Sequence, residues 1–564
     1  MVSTTGPMSV GTIVGLSDPN EFIMAAKPGA VRLQDIVAVD ARSEDTGADH
    51  PIRVWAKVKR IERLNPLFPV EAGHELAQEG ISAMDTVLSL SREMVTAYCQ
   101  VIGYEELHGQ DVSAGRLSPL RYPVKPTASV YTPQAQHIQQ ILSGSVPEHR
   151  LLRIGTLAGR DDVEIALDGN PVVGRHLAIL AMTGAGKTVA CRTILEELIA
   201  REYPVLIFDP HGDYVGFRDT FGERVTVYRP YIHMTADNVE EMLQFVNDVS
   251  DFPLSTAMEP TFREAYLLIC DPNRGKRLTE IAEVYQEATG KELYTKSKST
   301  GQPNFWAIMR LLEAIDLLNE DLADDDLTER FKAAVPQSLL KATNRGNVVT
   351  RLIKVGNHVN HMERMNEQIV ARYNQPIVDL PEDRTGMIAK GKVSIVCLGG
   401  YDPVIQTSMV ASVLDDLFGK RVTRKIETPF LVVLEEAHNF IPGSGESGAA
   451  VSVATIKRII TEGRKFGVGL ILISQRPSRL DATALSQCNS FLIMRMVNPA
   501  DQSFVRSVVE TLAEDDARIL PNLMVGEALV SGQCVRFPVM VHIRPSRTRG
   551  TYEEEDFLAS VALA

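Results

Sequence analysis

The sequence predicts an α/β protein: a parallel sheet covered on both faces, interrupted by a helical insertion and preceded by a small β-barrel. Three observations carry this. From about Leu151 short apolar runs alternate with amphipathic helical stretches, the texture of a sheet buried on both faces. Between roughly 235 and 390 the apolar runs give way to helical periodicity. Residues 1 to about 125 hold short β-rich stretches separated by turn residues, the pattern of a small all-β unit.

In chain order, the β-rich unit contains Gly11–Gly15, Ile36–Asp40, Ile52–Val58 and Val95–Val101. Pro119, Pro123, Pro126 and Pro133 then punctuate the chain, so 126–150 is expected to be a linker with one short helix, Gln134 to Leu142. Residues 151–545 form the sheet domain. Its expected strands are His176–Leu180, Val205–Phe208, Val225–Tyr228, Val393–Leu398, Phe430–Leu434, Leu470–Ile473 and Phe491–Met494, each short, apolar and bounded by polar or turn residues. The insertion at about 235–390 includes helical stretches Asn238–Val249 and Phe305–Leu318. Its acid-rich run through Asp324-Asp325-Asp326 reads as a solvated helix face and loop. Residues 546–564 are left as a tail.

At 564 residues with 44% hydrophobic content, the chain has apolar material for two or more cores, which lends no support to a disordered or fibrous class. No apolar run approaches membrane-spanning length and the N-terminus lacks a basic-then-apolar signal, so a cytoplasmic location without membrane is expected. The six cysteines form no Cys-x-x-Cys pair and read as reduced thiols. A net charge of −14 argues against a surface that attracts nucleic acid everywhere; any DNA contact must be local.

The sharpest signal is Thr183-Gly184-Ala185-Gly186-Lys187-Thr188, a small-residue loop between the strand ending at Leu180 and the helix Thr188–Arg201. That context is what a phosphate-binding loop requires. Main-chain N–H groups of Gly184 to Lys187 and the helix dipole make the loop a triphosphate seat. Lys187 is expected to reach the β and γ phosphates as a mobile point charge, and Thr188 to complete a Mg²⁺ shell. Ala181 stands where the full pattern begins with glycine.

The strand Phe430–Leu434 runs straight into Glu435-Glu436-Ala437-His438, delivering two carboxylates to the edge where ligands of open α/β sheets bind. Neighbouring strand side chains point to opposite sides, so the two glutamates are expected to divide the work: Glu435 as the Mg²⁺-linked acid, Glu436 to orient and deprotonate water. Gln475, after another strand, is the right type to sense a γ phosphate. Asp209 and His211 follow the second strand, His211 with a structural hydrogen bond as its expected role. Arg464 either stabilises phosphoryl charge, in its own subunit or across an interface, or is an ordinary basic helix terminus.

Taken together, His176 to Thr188, Phe208-Asp-Pro-His-Gly-Asp-Tyr214, Leu431 to Pro442, Glu462-Gly-Arg-Lys-Phe-Gly467 and Ile473-Ser-Gln-Arg-Pro477 resemble the HerA family, a branch of the FtsK-related DNA pumps. The resemblance covers about residues 150 to 545, and the β-rich N-terminus is similar to that family's barrel. It implies a RecA-like ATPase core assembled as a homo-hexamer, with ATP and Mg²⁺ between neighbouring subunits and double-stranded DNA in the central channel. It further implies that Lys187 and Thr188 serve the phosphate loop, Glu436 is the catalytic carboxylate with Glu435 beside it, Gln475 is the sensor, and Arg464 reaches a nucleotide. Glu435 departs from the aspartate of many related motors. Family members pair with a NurA-type nuclease in DNA end processing, or with nuclease or sirtuin-type effectors in antiphage defence; the barrel, 1–125, would be the docking platform.

Backbone tracking on DNA needs cations and flexible loops. Candidates are Lys341, Arg345 and the nearby Arg351 and Lys354, together with the loop Gly443–Gly448 ahead of Lys457 and Arg458. The alternative to a translocase is an ATPase scaffold or switch that regulates an effector without processive movement. A motor for secreted protein or conjugative transfer is a more distant rival.

Overall fold

The computed structural model describes residues 8–43, 50–65, 74, 78, 93–108, 111–112, 117–230, 239–249, 253–270, 272–293, 305–321, 324–371, 376–443 and 451–548. The N-terminal strands are β1 (Ser9–Ser17), β2 (Glu21–Ala26), β3 (Ile36–Arg42), β4 (Pro51–Leu64), β5 (Met94–His108), β6 (Asp111–Val112) and β7 (Ser129–Tyr131). They hydrogen-bond in the order β2-β1-β7-β3-β4-β5-β6, and a further β2–β5 pairing closes six of them into a barrel. Closure removes the exposed edges that a small open sheet would carry. Ile13, Phe22, Met24, Val37, Val54, Val58 and Ala97 fill the interior.

The segment expected to be a linker, 126–150, therefore supplies a barrel strand. Three residues between Pro126 and Pro133 are too few to show alternation in a sequence, yet β7 pairs antiparallel with both β1 and β3. It is followed by a helix, Ala135–Ser143, that buries Ile138, Ile141 and Leu142.

The second sheet has twelve strands: β8 (Leu151–Leu157), β9 (Arg160–Asp168), β10 (Leu177–Leu180), β11 (Val205–Asp209), β12 (Val225–Arg229), β13 (Ile377–Asp379), β14 (Val393–Cys397), β15 (Phe430–Leu434), β16 (Val468–Ser474), β17 (Ser490–Met494), β18 (Glu527–Gly532) and β19 (Val539–Ile543). Their order is β13-β12-β14-β11-β15-β16-β10-β17-β18-β19-β8-β9. From β13 to β17 the pairings are parallel. Strands β10, β11, β14, β15, β16 and β17 are buried along their whole length, which is why they read as continuous apolar runs. All seven expected strands are present. The sheet is wider than the parallel one expected, because β18, β19, β8 and β9 extend it antiparallel. Among its described residues the interval 235–390 also holds one strand, β13, only three residues long.

The insertion packs its own core, with Phe262, Leu311, Ile315, Phe331, Val348 and Leu352 inside. Its acid run does local work: the Asp324 carboxylate accepts the N–H of Asp326 at 2.9 Å and caps the helix Asp325–Ala334, whose dipole favours acids there. The long helix Arg345–Ala371 returns to the sheet, where Asn366 Nδ2 donates to the carbonyls of Cys397 and Gly399 at 3.0 and 2.7 Å. No helix of the described residues is long and apolar enough to cross a membrane.

Barrel and sheet domain meet at an ionic seam. Asp516, on the helix Glu514–Ile519, is 1% exposed, accepts Lys57 Nζ at 3.3 Å and Gln34 Nε2 at 3.2 Å, and forms an ion pair with Lys59 Nζ at 2.8 Å. Trp55, fully buried, packs into the sheet domain's core beside it.

Candidate active site

Strand β10 lies between β16 and β17, and the chain leaves its C-terminal end as the loop Ala181–Gly186 before the helix Lys187–Ala200. Gly184 and Gly186 have φ of +77° and +103°, which only glycine adopts without strain. Gly186 is the N-cap, so the first helical N–H groups open directly onto the loop. Ala181 is buried and is not among the positive-φ residues, so a methyl group fits where the common pattern has glycine. Two backbone bonds hold the loop from the β17–β18 side: Met182 N–H donates to Arg495 O at 3.0 Å, and Gly526 N–H to Ala185 O at 3.1 Å.

The two glutamates converge on the loop. Lys187 Nζ donates to Glu435 Oε1 at 2.7 Å and to Glu436 Oε1 at 2.6 Å. The alternation expected to send the carboxylates to opposite sides fails because Glu436 leaves the strand with φ +51°. They differ in their second oxygens. Glu435 Oε2 accepts the Tyr214 hydroxyl at 2.7 Å. Glu436 Oε2 is buried without a hydrogen bond, with His438 Nδ1 3.3 Å away; His438 Nδ1 itself lies 3.2 Å from Ser474 Oγ.

Burial pushes the Glu435 carboxyl above the usual range, against the pull of Lys187. Burial alone would weaken the Lys187 ammonium, but the charges of Glu435 and Glu436 outweigh it and hold its pKa above the ordinary value. The Lys187 ammonium thus stays charged beside the two glutamates.

Two more strand ends reach the same edge. Gln475, after β16, accepts the Thr183 hydroxyl at 2.5 Å, joining both to the loop. After β11, Asp209 accepts the N–H groups of His211, Gly212, Asp213 and Tyr214 at 2.8 to 3.3 Å, and Arg192 of the loop helix donates to the Asp213 carbonyl. This fastened turn is what aims Tyr214 at Glu435. The His211 side chain is exposed; only its main chain joins the turn.

Arg464 lies elsewhere. It is exposed in the last turn of the helix Ser452–Phe466, and the following Gly467 carbonyl accepts Phe430 N–H at the start of β15. That is the sheet edge opposite the loop, one length of the seven-residue β16 away, or roughly 23 Å. Within one subunit Arg464 does not join the cluster.

Of the cations expected to face DNA, Lys341 is exposed. Arg345 is not available: it is 8% exposed, with Nε on Asp316 at 2.5 Å and Nη1 on the Leu339 and Leu340 carbonyls. Lys457 pairs with Asp481 at 2.7 Å, and Arg458 covers the Phe418 ring and lies 3.8 Å from Asp415. Of the loop Gly443–Gly448, residues 444–448 lie outside the described residues, as do 549–564 of the tail.

The described residues hold no group of three or more His, Cys, Asp or Glu arranged for a metal. The buried, unbonded Glu436 Oε2 beside Glu435 leaves acceptor capacity at the cluster, which fits a Mg²⁺ that takes most of its oxygens from phosphates and water.

Residues 152–416 match the family model described as the central domain of helicase HerA. A probable helicase of Methanocaldococcus jannaschii is 28% identical over 450 residues, 78% of this chain and 75% of its own length. The DNA double-strand break repair helicase HerA of Pyrococcus furiosus is 29% identical over 511 residues, 82% and 81% of the two chains. A second probable helicase of Methanocaldococcus jannaschii, 25% identical, covers 95% of both. With a glycine-bent loop, its lysine and two glutamates brought together at the carboxyl edge of a mostly parallel sheet, the chain is an ATP-hydrolysing P-loop enzyme whose residues 152–416 are similar to the central domain of the HerA helicases.

Proposed function

We propose that this chain is the subunit of an ATP-driven motor that moves along double-stranded DNA as a hexameric ring. The observation that carries the reading is the Lys187 ammonium within 2.7 Å of both Glu435 and Glu436, which puts a phosphate-binding cation and a buried base in one cluster. The DNA substrate rests on relatives named for double-strand break repair.

In this reading the N–H groups of Gly184 to Lys187 cradle the phosphates, and Lys187 turns from the carboxylates toward the β and γ phosphates as they enter. Glu436, released from that ion pair, accepts a proton from water as its oxygen bonds to the γ phosphorus and the bond to ADP breaks. Thr188 and Glu435 would hold Mg²⁺, which neutralises phosphate charge when bound. Gln475, tied to Thr183, reports loss of the γ phosphate to the β16 end. Arg464 acts on a neighbouring subunit's nucleotide, since its own lies across the sheet. The barrel docks a nuclease or a defence effector, for end processing or antiphage defence.

The test is ATP turnover with and without duplex DNA, combined with displacement of streptavidin from a biotinylated duplex. A translocase shows DNA-stimulated turnover and ATP-dependent displacement. Turnover indifferent to DNA, with no displacement, would instead fit a scaffold or switch.

A further inference from the structure

At the root of the strand that carries the phosphate loop lies a histidine with no part in the chemistry above. His176 joins the helix Gly169–Gly174 to the start of β10, is 2% exposed, and has φ +61°. A residue with a β-carbon is held in the left-handed region only where its surroundings fix it. Here two hydrogen bonds do so. The Leu470 N–H of β16 donates to His176 Nδ1 at 3.1 Å, and Nε2 lies 3.0 Å from the Ile460 carbonyl oxygen. Since an N–H donates and a carbonyl accepts, both bonds together select one neutral tautomer, bare at Nδ1 and protonated at Nε2. Burial pushes the imidazole's pKa down to about 4, which keeps it in that form.

The Ile460 carbonyl bears directly on Arg464. It lies one turn earlier in the helix Ser452–Phe466, so the i→i−4 pattern brings the Arg464 N–H to that same oxygen. The rest of this last turn is fastened as well. A Cβ on Gly463 would meet the Val468 carbonyl oxygen at 2.5 Å, so glycine alone lets the helix lie this close to β16. Arg421 Nε donates to the Phe466 carbonyl at 2.6 Å, and its Nη1 to the Ile426 and Glu427 carbonyls at 2.9 and 2.6 Å. The exposed Arg464 side chain thus leaves a backbone turn tied to the root of β10 on one side and to the segment leading into β15 on the other.

From this arrangement we infer that His176 is a positioning residue for Arg464: it fixes the turn from which the guanidinium reaches a neighbouring subunit's nucleotide, with Arg421 closing that turn from the other side. The inference rests on the role proposed above for Arg464 across the subunit interface. The strand bearing one subunit's phosphate loop is then bonded, at its root, to the arginine which that subunit offers to the next.

The experiment compares wild type, His176→Asn, Arg464→Ala and the double variant as full chains, by ATP affinity and by single-turnover hydrolysis, which reads slow rates. Asparagine tolerates the left-handed backbone and keeps an acceptor for the Leu470 N–H, but it is shorter than histidine and gives up the bond to Ile460. His176→Asn is expected to lower the hydrolysis rate about ten- to a hundredfold, the scale of a misplaced catalytic group, with ATP affinity unchanged. In the Arg464→Ala background the same substitution is expected to change nothing further. A deficit of equal fold in both backgrounds, or full turnover in His176→Asn, makes His176 a packing residue and overturns the inference while leaving Arg464 in its role. Full turnover in Arg464→Ala removes both. Unfolding midpoints above the assay temperature certify the folds; should His176→Asn unfold, Arg421→Gln, on the half-exposed side of the same turn, replaces it in the same comparison, decided by the same outcomes.

Discussion

The Lys187 ammonium sits 2.6 Å from Glu436 and 2.7 Å from Glu435, and Glu435 is fully buried. One cation thus sits between two carboxylates that would repel each other more strongly in its absence. Lys187→Ala is therefore expected to lose stability as well as turnover, by about 3–5 kcal/mol for a broken buried pair. Adding Glu436→Gln should return part of that loss without restoring hydrolysis. Urea unfolding of the two single variants and the double variant measures the coupling; additive effects would deny the shared charge.

Glu436→Gln alone is expected to bind ATP and hold it uncleaved, because the amide cannot accept the proton of water. A single-turnover assay distinguishes trapped ATP from product, and rapid release of ADP would transfer the base role to another group.

Tyr214→Phe removes the donor to Glu435 Oε2 and leaves a buried carboxylate oxygen unsatisfied, at about 1–3 kcal/mol. Turnover should fall on the order of tenfold and require more Mg²⁺, with binding of ATP little changed. A Mg²⁺ titration of the steady-state rate reads the effect; an unshifted curve would make Tyr214 a packing residue only.

How far this cluster could be read in advance depends on how local each part is. The loop and its lysine lie within one strand, turn and helix, and Glu435 and Glu436 directly follow an apolar run, so both were legible. Their convergence depends on one backbone angle, φ +51° at Glu436, which no residue pattern announces. Tyr214 was in view as part of its motif, but its aim at Glu435 depends on Asp209 fastening the turn below it. Arg345 looked like a free surface cation until the fold placed Asp316 beside it. Strands β8, β9 and β19 mix buried with exposed or half-exposed positions, so they do not stand out as continuous apolar runs.

Arg464 offers a test of assembly. If it completes a neighbour's site, Lys187→Ala and Arg464→Ala chains should each be inactive alone, yet regain turnover when mixed, because some interfaces then pair an intact Lys187 with an intact Arg464. Absence of rescue in mixed rings of confirmed size would return Arg464 to the role of a helix terminus.

The seam at Asp516 makes a pH prediction. The two lysines hold the Asp516 carboxyl below its ordinary range, although burial opposes them. Burial lowers Lys57 to about 8 despite Asp516. The carboxylate's contribution is present above the ordinary carboxylate range and is lost as pH falls through its depressed folded value. Between pH about 8 and the ordinary lysine value of 10.5, the unfolded chain holds the extra proton, so stability at Lys57 rises with pH. Asp516→Asn should cost about 3–5 kcal/mol near pH 7, with a smaller deficit in acid, where the wild type also loses the charge, and again near pH 10, where Lys57 is neutral. Unfolding curves at those three values decide it; a deficit independent of pH would exclude the charge as its cause.

The twelve-stranded sheet also ties together parts of the protein that lie far apart. At its β13 margin it leads into the helical insertion; at its β9 margin it carries the helix that follows the barrel. Hydrogen bonds run unbroken between them, and β10, with the nucleotide loop at its end, lies within that span. Because close-packed interiors transmit strain and compress little, the loop stands on a continuous beam that reaches from the insertion to the barrel's helix.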